Sequence, residues 1–156
     1  MYTITREEKS TLLGNKIRKG GRIMISIIYG VKGSGKTKRI IDAANERAYS
    51  TKGSIVYITD CADHSSEVDN SIRFIDIKHY GITDENGILC FLKGLLAGNY
   101  DITDVYIDGL AKFIKKDVSE LEDAFKQLDL LGTEFDVTFT LTVSAEEVPD
   151  FMRRYI

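Results

Sequence analysis

The sequence predicts an α/β fold, a three-layer sandwich around a mainly parallel five-stranded sheet, and three observations predict it. Past residue 23, short β-branched runs alternate with amphipathic helical stretches, the signature of βαβ units. The first run, Ile23–Tyr29 (IMISIIY), is continuously apolar, as expected of a strand covered on both faces. It feeds through a glycine-rich turn directly into a helical stretch, and parallel strands require such crossovers.

Each element has its own warrant. Lys36–Ser50 reads as a helix, with Ile40, Ile41, Ala43, Ala44 and Ala48 on one side and Lys38, Arg39, Glu46 and Arg47 mostly on the other. Ser54–Thr59 (SIVYIT) is a second strand after Lys52-Gly53, and polar Cys61–Ser71 reads as a loop. Ile72–Ile77 is a short third strand whose alternation places it at a sheet edge. Asp84–Leu96 is a helix stopped by Gly98-Asn99, and Val105–Asp108 a fourth strand. Ser119–Leu131 is amphipathic, with Leu121, Ala124, Phe125 and Leu128 inward and Gly132 closing it. Val137–Ser144 is the fifth strand, and a short helix begins around the only proline, Pro149.

Composition removes whole classes. At 156 residues and 43% hydrophobic, the chain is one domain with enough apolar material for a core. Two cysteines, Cys61 and Cys90, provide neither a disulfide framework nor a four-cysteine zinc site. No apolar run approaches the roughly 18 residues of a membrane helix, and MYTITREEKS lacks a signal-peptide core, which predicts a cytoplasmic protein without a membrane partner. Residues 1–23 carry six basic and two acidic side chains, a net +4, whereas the other 133 carry 15 and 22, a net −7. An acidic body argues against nucleic acid as the main ligand, because such binding rests on phosphate neutralisation by Lys and Arg.

The chemistry concentrates in Gly30-Val31-Lys32-Gly33-Ser34-Gly35-Lys36-Thr37, which satisfies G-x-x-x-x-G-K-[ST] between a strand and a helix. Glycines let successive backbone N–H groups converge on phosphate oxygens, and the helix beginning near Lys36 adds its positive dipole end. The cofactor-binding set is therefore Gly30 to Thr37 together with Lys38, for ATP or ADP with Mg²⁺. Lys36 reaches the β- and γ-phosphates, and the Thr37 hydroxyl faces the metal. A carboxylate from a neighbouring strand end completes such a site, and Asp108, ending VYID, has that position. The acid that often follows to polarise water is absent, because residue 109 is glycine.

Asp60, ending the second strand, admits two readings: the water-positioning acid, or an ordinary turn residue. Thr142 and Ser144 end the last strand, where they could sense a γ-phosphate; the favoured reading makes Ser144 and Glu147 a capping box for the final helix. Cys61-x-x-His64 has ligand-like spacing without a second pair to complete a zinc site, so it and His79 read as structural. Phe91 and Leu95 read as core, with a partner surface as the competing role. Lys112, Lys115 and Lys116 read as a solvated face, with substrate contact as the alternative. Arg153 and Arg154 suit the negative end of the last helix.

On these residues the chain resembles the P-loop NTPase superfamily, and its strand pattern is most similar to the RecA-like ATPase branch. Within it, GVKGSGKTKRIIDAANE and VYIDGLAKF resemble small bacterial ATP-binding proteins sometimes labelled twitching-motility ATPases, over residues 24–156. In the RecA type the second strand leads to a water-activating acid, which is the role the resemblance implies for Asp60. Three function classes stay open: a small ATPase or switch, a small-molecule kinase, and a nucleotide-binding regulator without turnover that acts through a protein partner. Against the kinase stand the short chain and the lack of an Arg-rich lid. A GTPase is weaker still, since no Asn-Lys-x-Asp follows the loop.

The domain reading separates residues 1–23, a basic extension, from 24–156, the nucleotide-binding domain. Lys19-Gly20-Gly21 can be encoded by a purine-rich ribosome-binding sequence at a suitable distance before Met24, so the extension is expected to be dispensable. A real basic arm, capped by Thr5 and Glu8, is the rival view. A chain beginning at Met24 should fold with little loss of stability in urea denaturation and keep nucleotide binding. Failure to fold makes the segment an integral element.

Overall fold

The computed structural model describes residues 17–18 and 21–156. Its centre is a five-stranded sheet of β3 (Ile25–Gly30), β4 (Ser54–Thr59), β5 (Arg73–Asp76), β6 (Ile102–Asp108) and β7 (Thr138–Ser144). The spatial order is β3-β7-β6-β4-β5 and every pairing is parallel. A two-stranded antiparallel ribbon, β1 (Ile17–Arg18) with β2 (Gly21–Arg22), precedes it. The expected α/β sandwich is thus the observed one, with the sheet wholly parallel.

Helices close both faces. α1 (Lys36–Ser50) covers one, where Ile40, Ile41 and Ala44 pack against Ile55, Tyr57 and Tyr106. α2 (Glu85–Gly98) and α4 (Glu122–Phe135) cover the other, where Ile88, Leu92, Phe125 and Leu128 share a cluster with Ile58, Ile107, Phe139 and Leu141. Between β6 and α4 lies α3 (Leu110–Phe113), one turn anchored by buried Leu110 and Phe113. A 3₁₀ segment, Asp150–Tyr155, ends the chain, with Met152 and Tyr155 in the core.

Several boundaries and roles differ from the sequence reading. β3 is an edge strand, with Ser26 exposed and Ile28 half-buried, so its apolar run does not mean burial on both faces. The inner place belongs to β7, whose pairing with β3 joins residues more than 100 positions apart, as in Ile25↔Phe139. β5 occupies the opposite edge, as its alternation predicts. The Cys61–Ser71 stretch is not wholly loop, because Ala62–Glu67 forms a 3₁₀ segment. α2 starts one residue later than expected because Asp84 is its cap, its side chain accepting from the Gly87 N–H at 2.6 Å.

Gly132 does not close its helix. α4 continues to Phe135 and ends at Asp136, in the left-handed region at φ 55°. Gly132 is there because α4 crosses the start of β3 closely: a Cβ would lie 2.5 Å from the Met24 Cβ and 2.7 Å from the Val137 carbonyl oxygen. Nor is Ser144 a helix cap, since the last segment begins only at Asp150, with Pro149 at the capping position. Arg153 pairs with Asp150 at 3.1 Å, and Arg154 lies over the Tyr155 ring at 5.3 Å.

At the N-terminal end of the strands, Arg47 Nε donates to Asp104 Oδ2 at 3.1 Å, and Thr103 Oγ1 donates to the same oxygen at 2.7 Å. This pair ties the end of α1 to the buried start of β6. Most of the 1–23 extension lies outside the described residues. Of the rest, Arg22 Nη1 donates to Asp136 Oδ1 at 2.9 Å and Ile23 packs half-buried on the core. Among the described residues no helix is long and apolar enough to cross a membrane.

Two glycine substitutions should move stability in opposite directions. Alanine is the better helix former by about 1 kcal/mol. At exposed Gly94 of α2, where a Cβ meets nothing within 4 Å, Gly94→Ala should raise the urea midpoint. At Gly132 overpacking costs about 1–3 kcal/mol, so Gly132→Ala should lower it.

Candidate functional site

A cleft of about 750 Å³ opens at the C-terminal ends of the strands, where ligands bind in open α/β sheets. One wall is the turn from β3 into α1. Gly33 and Gly35 adopt φ of +80° and +83°, a region costly for side chains with a Cβ. Open space surrounds both positions, so the backbone there faces the cleft unobstructed. The Ser34 N–H donates to the Val31 carbonyl at 3.1 Å, and Lys36 Nζ donates to the same oxygen at 2.9 Å. Gly30 ends β3, its carbonyl accepting from the Ala145 N–H at 3.0 Å.

The opposite wall comes from the ends of β4, β6 and β7. Asp108 accepts from Thr37 Oγ1 through Oδ2 at 2.9 Å and from Thr142 Oγ1 through Oδ1 at 2.7 Å. Thr142 Oγ1 also accepts from the Gly109 N–H at 3.0 Å, fixing the turn out of β6. β4 lies directly beside β6, with Thr59 paired to Asp108, so Asp60 sits next to this carboxylate on the cleft floor. Asp60 does not stand free, because Lys112 Nζ approaches its Oδ2 to 3.0 Å. That hydrogen bond, and then the carboxylate's charge, raise the Lys112 pKa above its ordinary value.

The structure therefore brings Lys32, Gly33, Gly35, Lys36, Thr37, Asp60 and Asp108 into one cleft. Other members of the set look elsewhere. The Lys38 side chain pairs with Asp42 at 2.9 Å on exposed helix surface, and Val31 is exposed beside the turn. Gly30 and Ser34 support the loop without lining the cleft. Ser144, read as a cap, lines the cleft, and Thr142 braces Asp108.

Sequence reasoning missed three residues and gave a fourth, Lys112, substrate contact only as the alternative role. Lys112 reads as a solvated lysine but reaches the cleft floor. Cys61 and His64 read as structural, yet both line the cleft, with the His64 Nδ1–H donating to Glu67 Oε1 at 2.8 Å. Tyr57 carries no sequence signal beyond its place in a strand. Its phenol is buried without a hydrogen-bond partner, and burial, then the Asp108 charge, raise its pKa. Among the described residues no three His, Cys, Asp or Glu side chains cluster to hold a metal. His79 is exposed, with Nε2 3.8 Å from Asp76 Oδ2. Lys116 pairs with Glu85, and Phe91 packs half-buried against the core with its ring 5.3 Å from that of Tyr80.

Chemically, this wall-to-wall arrangement suits an anion together with a hard cation. The loop offers backbone donors and an ammonium to the anion. The paired oxygens of Thr37 and Asp108 are hard donors of the kind that Mg²⁺ prefers.

No protein-family model matches the sequence, and no curated protein matches it significantly. Among solved structures, it is similar to the flagellar accessory protein FlaH from Methanocaldococcus jannaschii, with a TM-score of 0.50 and 20% identity over 84% of this chain. The chain spans 66% of the length of that protein. At this identity the likeness concerns fold: an α/β architecture with a five-stranded parallel sheet flanked by helices.

Thr142→Val tests the brace on Asp108. The swap keeps the shape but leaves Asp108 Oδ1 without its donor and the Gly109 N–H without its acceptor. Urea denaturation should show a loss of about 1 kcal/mol, the net worth of such hydrogen bonds where water can reach the groups left behind.

Proposed function

We propose that this chain is a RecA-like P-loop ATPase, which binds ATP or ADP with Mg²⁺ and hydrolyses ATP slowly as a small ATPase or nucleotide-dependent switch. The observation that carries the reading is the 2.9 Å contact between Thr37 and Asp108, which joins the two halves of a phosphate-and-metal site across 71 residues. A glycine-rich turn alone would not require that carboxylate.

Each residue then has a role. Backbone N–H groups of the glycine-rich loop surround the phosphates, that of Ser34 excepted because the Val31 carbonyl holds it, with Gly30 supporting the loop from the end of β3; Val31 and Lys38 contribute main chain only, since their side chains turn away. Lys36 leaves the Val31 carbonyl for the β- and γ-phosphate oxygens. Thr37 and Asp108 hold Mg²⁺, which when bound neutralises charge on the β- and γ-oxygens. Asp60 orients water, a task that no acid after Asp108 can take, because Gly109 stands there. Turnover is slow because no arginine among the described residues lines the cleft.

One observation favours a second reading, a nucleotide-binding regulator without turnover: Asp60, the acid assigned to orient water, is paired with Lys112. A small-molecule kinase has less support, since among the described residues no arginine lines the cleft.

Thermal denaturation with nucleotide and Mg²⁺ tests binding, since a ligand at about 100 times its dissociation constant stabilises by about 2.7 kcal/mol. MgATP and MgADP should both raise Tm, and Lys36→Ala should abolish the rise while leaving the unliganded Tm near wild type. Unchanged affinity in that variant removes the assignment. Asp108→Asn should weaken the Mg²⁺-dependent part of binding, whereas Asp60→Asn should bind normally and lose turnover. If the wild type binds nucleotide without releasing phosphate, the regulator reading replaces the ATPase.

A further inference from the structure

We propose that Lys112 is a γ-phosphate-binding cation supplied in cis, parked on Asp60 until a nucleoside triphosphate enters the cleft. The inference rests on the P-loop reading and gives a role to a residue that reading leaves unused.

The placement of Lys112 follows from its surroundings. Gly109 turns the chain out of β6 at φ +87°, and buried Leu110 and Phe113 clamp the single turn of α3. Between those anchors Ala111 and Lys112 face the cleft. Asp60 is almost enclosed, with 10% of its side chain exposed, whereas the Lys112 side chain is 74% exposed. Only the ammonium tip of Lys112 is therefore committed, on a long flexible stem lying in water. The lysine end of the pair lies in solvent, where its ammonium can exchange one anionic partner for another. The neighbouring lysines are differently disposed: Lys116 pairs with Glu85, and Lys115 sits outside the cleft lining.

A terminal phosphate carries more charge than one carboxylate and offers several acceptor oxygens, so it draws the ammonium away from Asp60. Lys36 approaches the phosphates from the loop side, and Lys112 reaches them from the opposite wall. The Asp60 carboxylate, relieved of its partner, then accepts a hydrogen bond from water beside the γ-phosphorus. In the hydrolytic step the water oxygen bonds to that phosphorus as its bond to the β–γ bridging oxygen breaks. The water proton passes to Asp60 and on to the released phosphate. A diphosphate is too short to hold Lys112, which returns to Asp60. Recognition of the third phosphate and readiness of the water-binding acid are thus one event.

The test uses the full chain with Lys112→Ala and Lys112→Arg, both at an exposed position, and compares MgATP affinity, MgADP affinity and phosphate release. Lys112→Ala should lose roughly tenfold in MgATP affinity, the worth of one charge-assisted hydrogen bond. It should leave MgADP affinity unchanged and slow phosphate release, while Lys112→Arg should restore the preference for triphosphate. Equal weakening of both nucleotides, or neither nucleotide affected, overturns the Lys112 assignment and leaves the P-loop reading standing. Faster phosphate release by Lys112→Ala also overturns it, because the pair would then only restrain Asp60. A wild-type chain that binds neither nucleotide overturns the P-loop reading, and this assignment with it.

Discussion

The Asp108 carboxylate is the constraint on which the rest of the site depends. One oxygen takes the Thr37 hydroxyl at the start of α1, and the other takes the Thr142 hydroxyl at the end of β7. Three segments remote in sequence meet on a single side chain. Because Thr142 also accepts the Gly109 N–H, the same contact sets the turn into α3. That turn aims Lys112 at Asp60, so both walls of the cleft are referenced to one carboxylate.

The geometry is available because β7 lies between β3 and β6. With one strand intervening, the glycine-rich loop and Asp108 stand on either side of β7: Thr37 reaches one carboxylate oxygen from the loop side, and Thr142, on the intervening strand, holds the other. Had β3 paired directly with β6, Thr142 would have no place between them. A sheet covered on both faces by helices leaves only its strand ends for polar function, and the two ends are used differently. At the N-terminal end Asp104 is closed off by Arg47 and Thr103, an arrangement in which removing either charge would strand the other. At the C-terminal end Asp60 and Asp108 line an open cleft, each with its own partners.

The glycines divide the same way. Gly33 and Gly35 have open surroundings and positive φ, and their use is conformational: they let the turn from β3 into α1 line the cleft. Gly132 lies in ordinary helix, and its use is steric, since α4 could not otherwise approach Met24 and the Val137 carbonyl. Both kinds look alike in a sequence, where a glycine after an apolar helical run reads as a stop.

By itself the sequence determined the alternation of strands and helices, the glycine-rich loop between β3 and α1, and the position of Asp108 at a strand end. These are local properties: hydrophobic period, turn chemistry and motif spacing act over a few residues and need no knowledge of distant neighbours. Strand order, the edge position of β3, the packing role of Gly132, the exposure of Ser144 to the cleft and the Lys112–Asp60 pair were decided only by the tertiary structure. Each depends on which surfaces meet across 50 to more than 100 residues, as with Ile25 and Phe139 or Asp60 and Lys112. Side-chain volume and pairing energy summed over the whole sheet settle those meetings, and no local pattern along the chain records them.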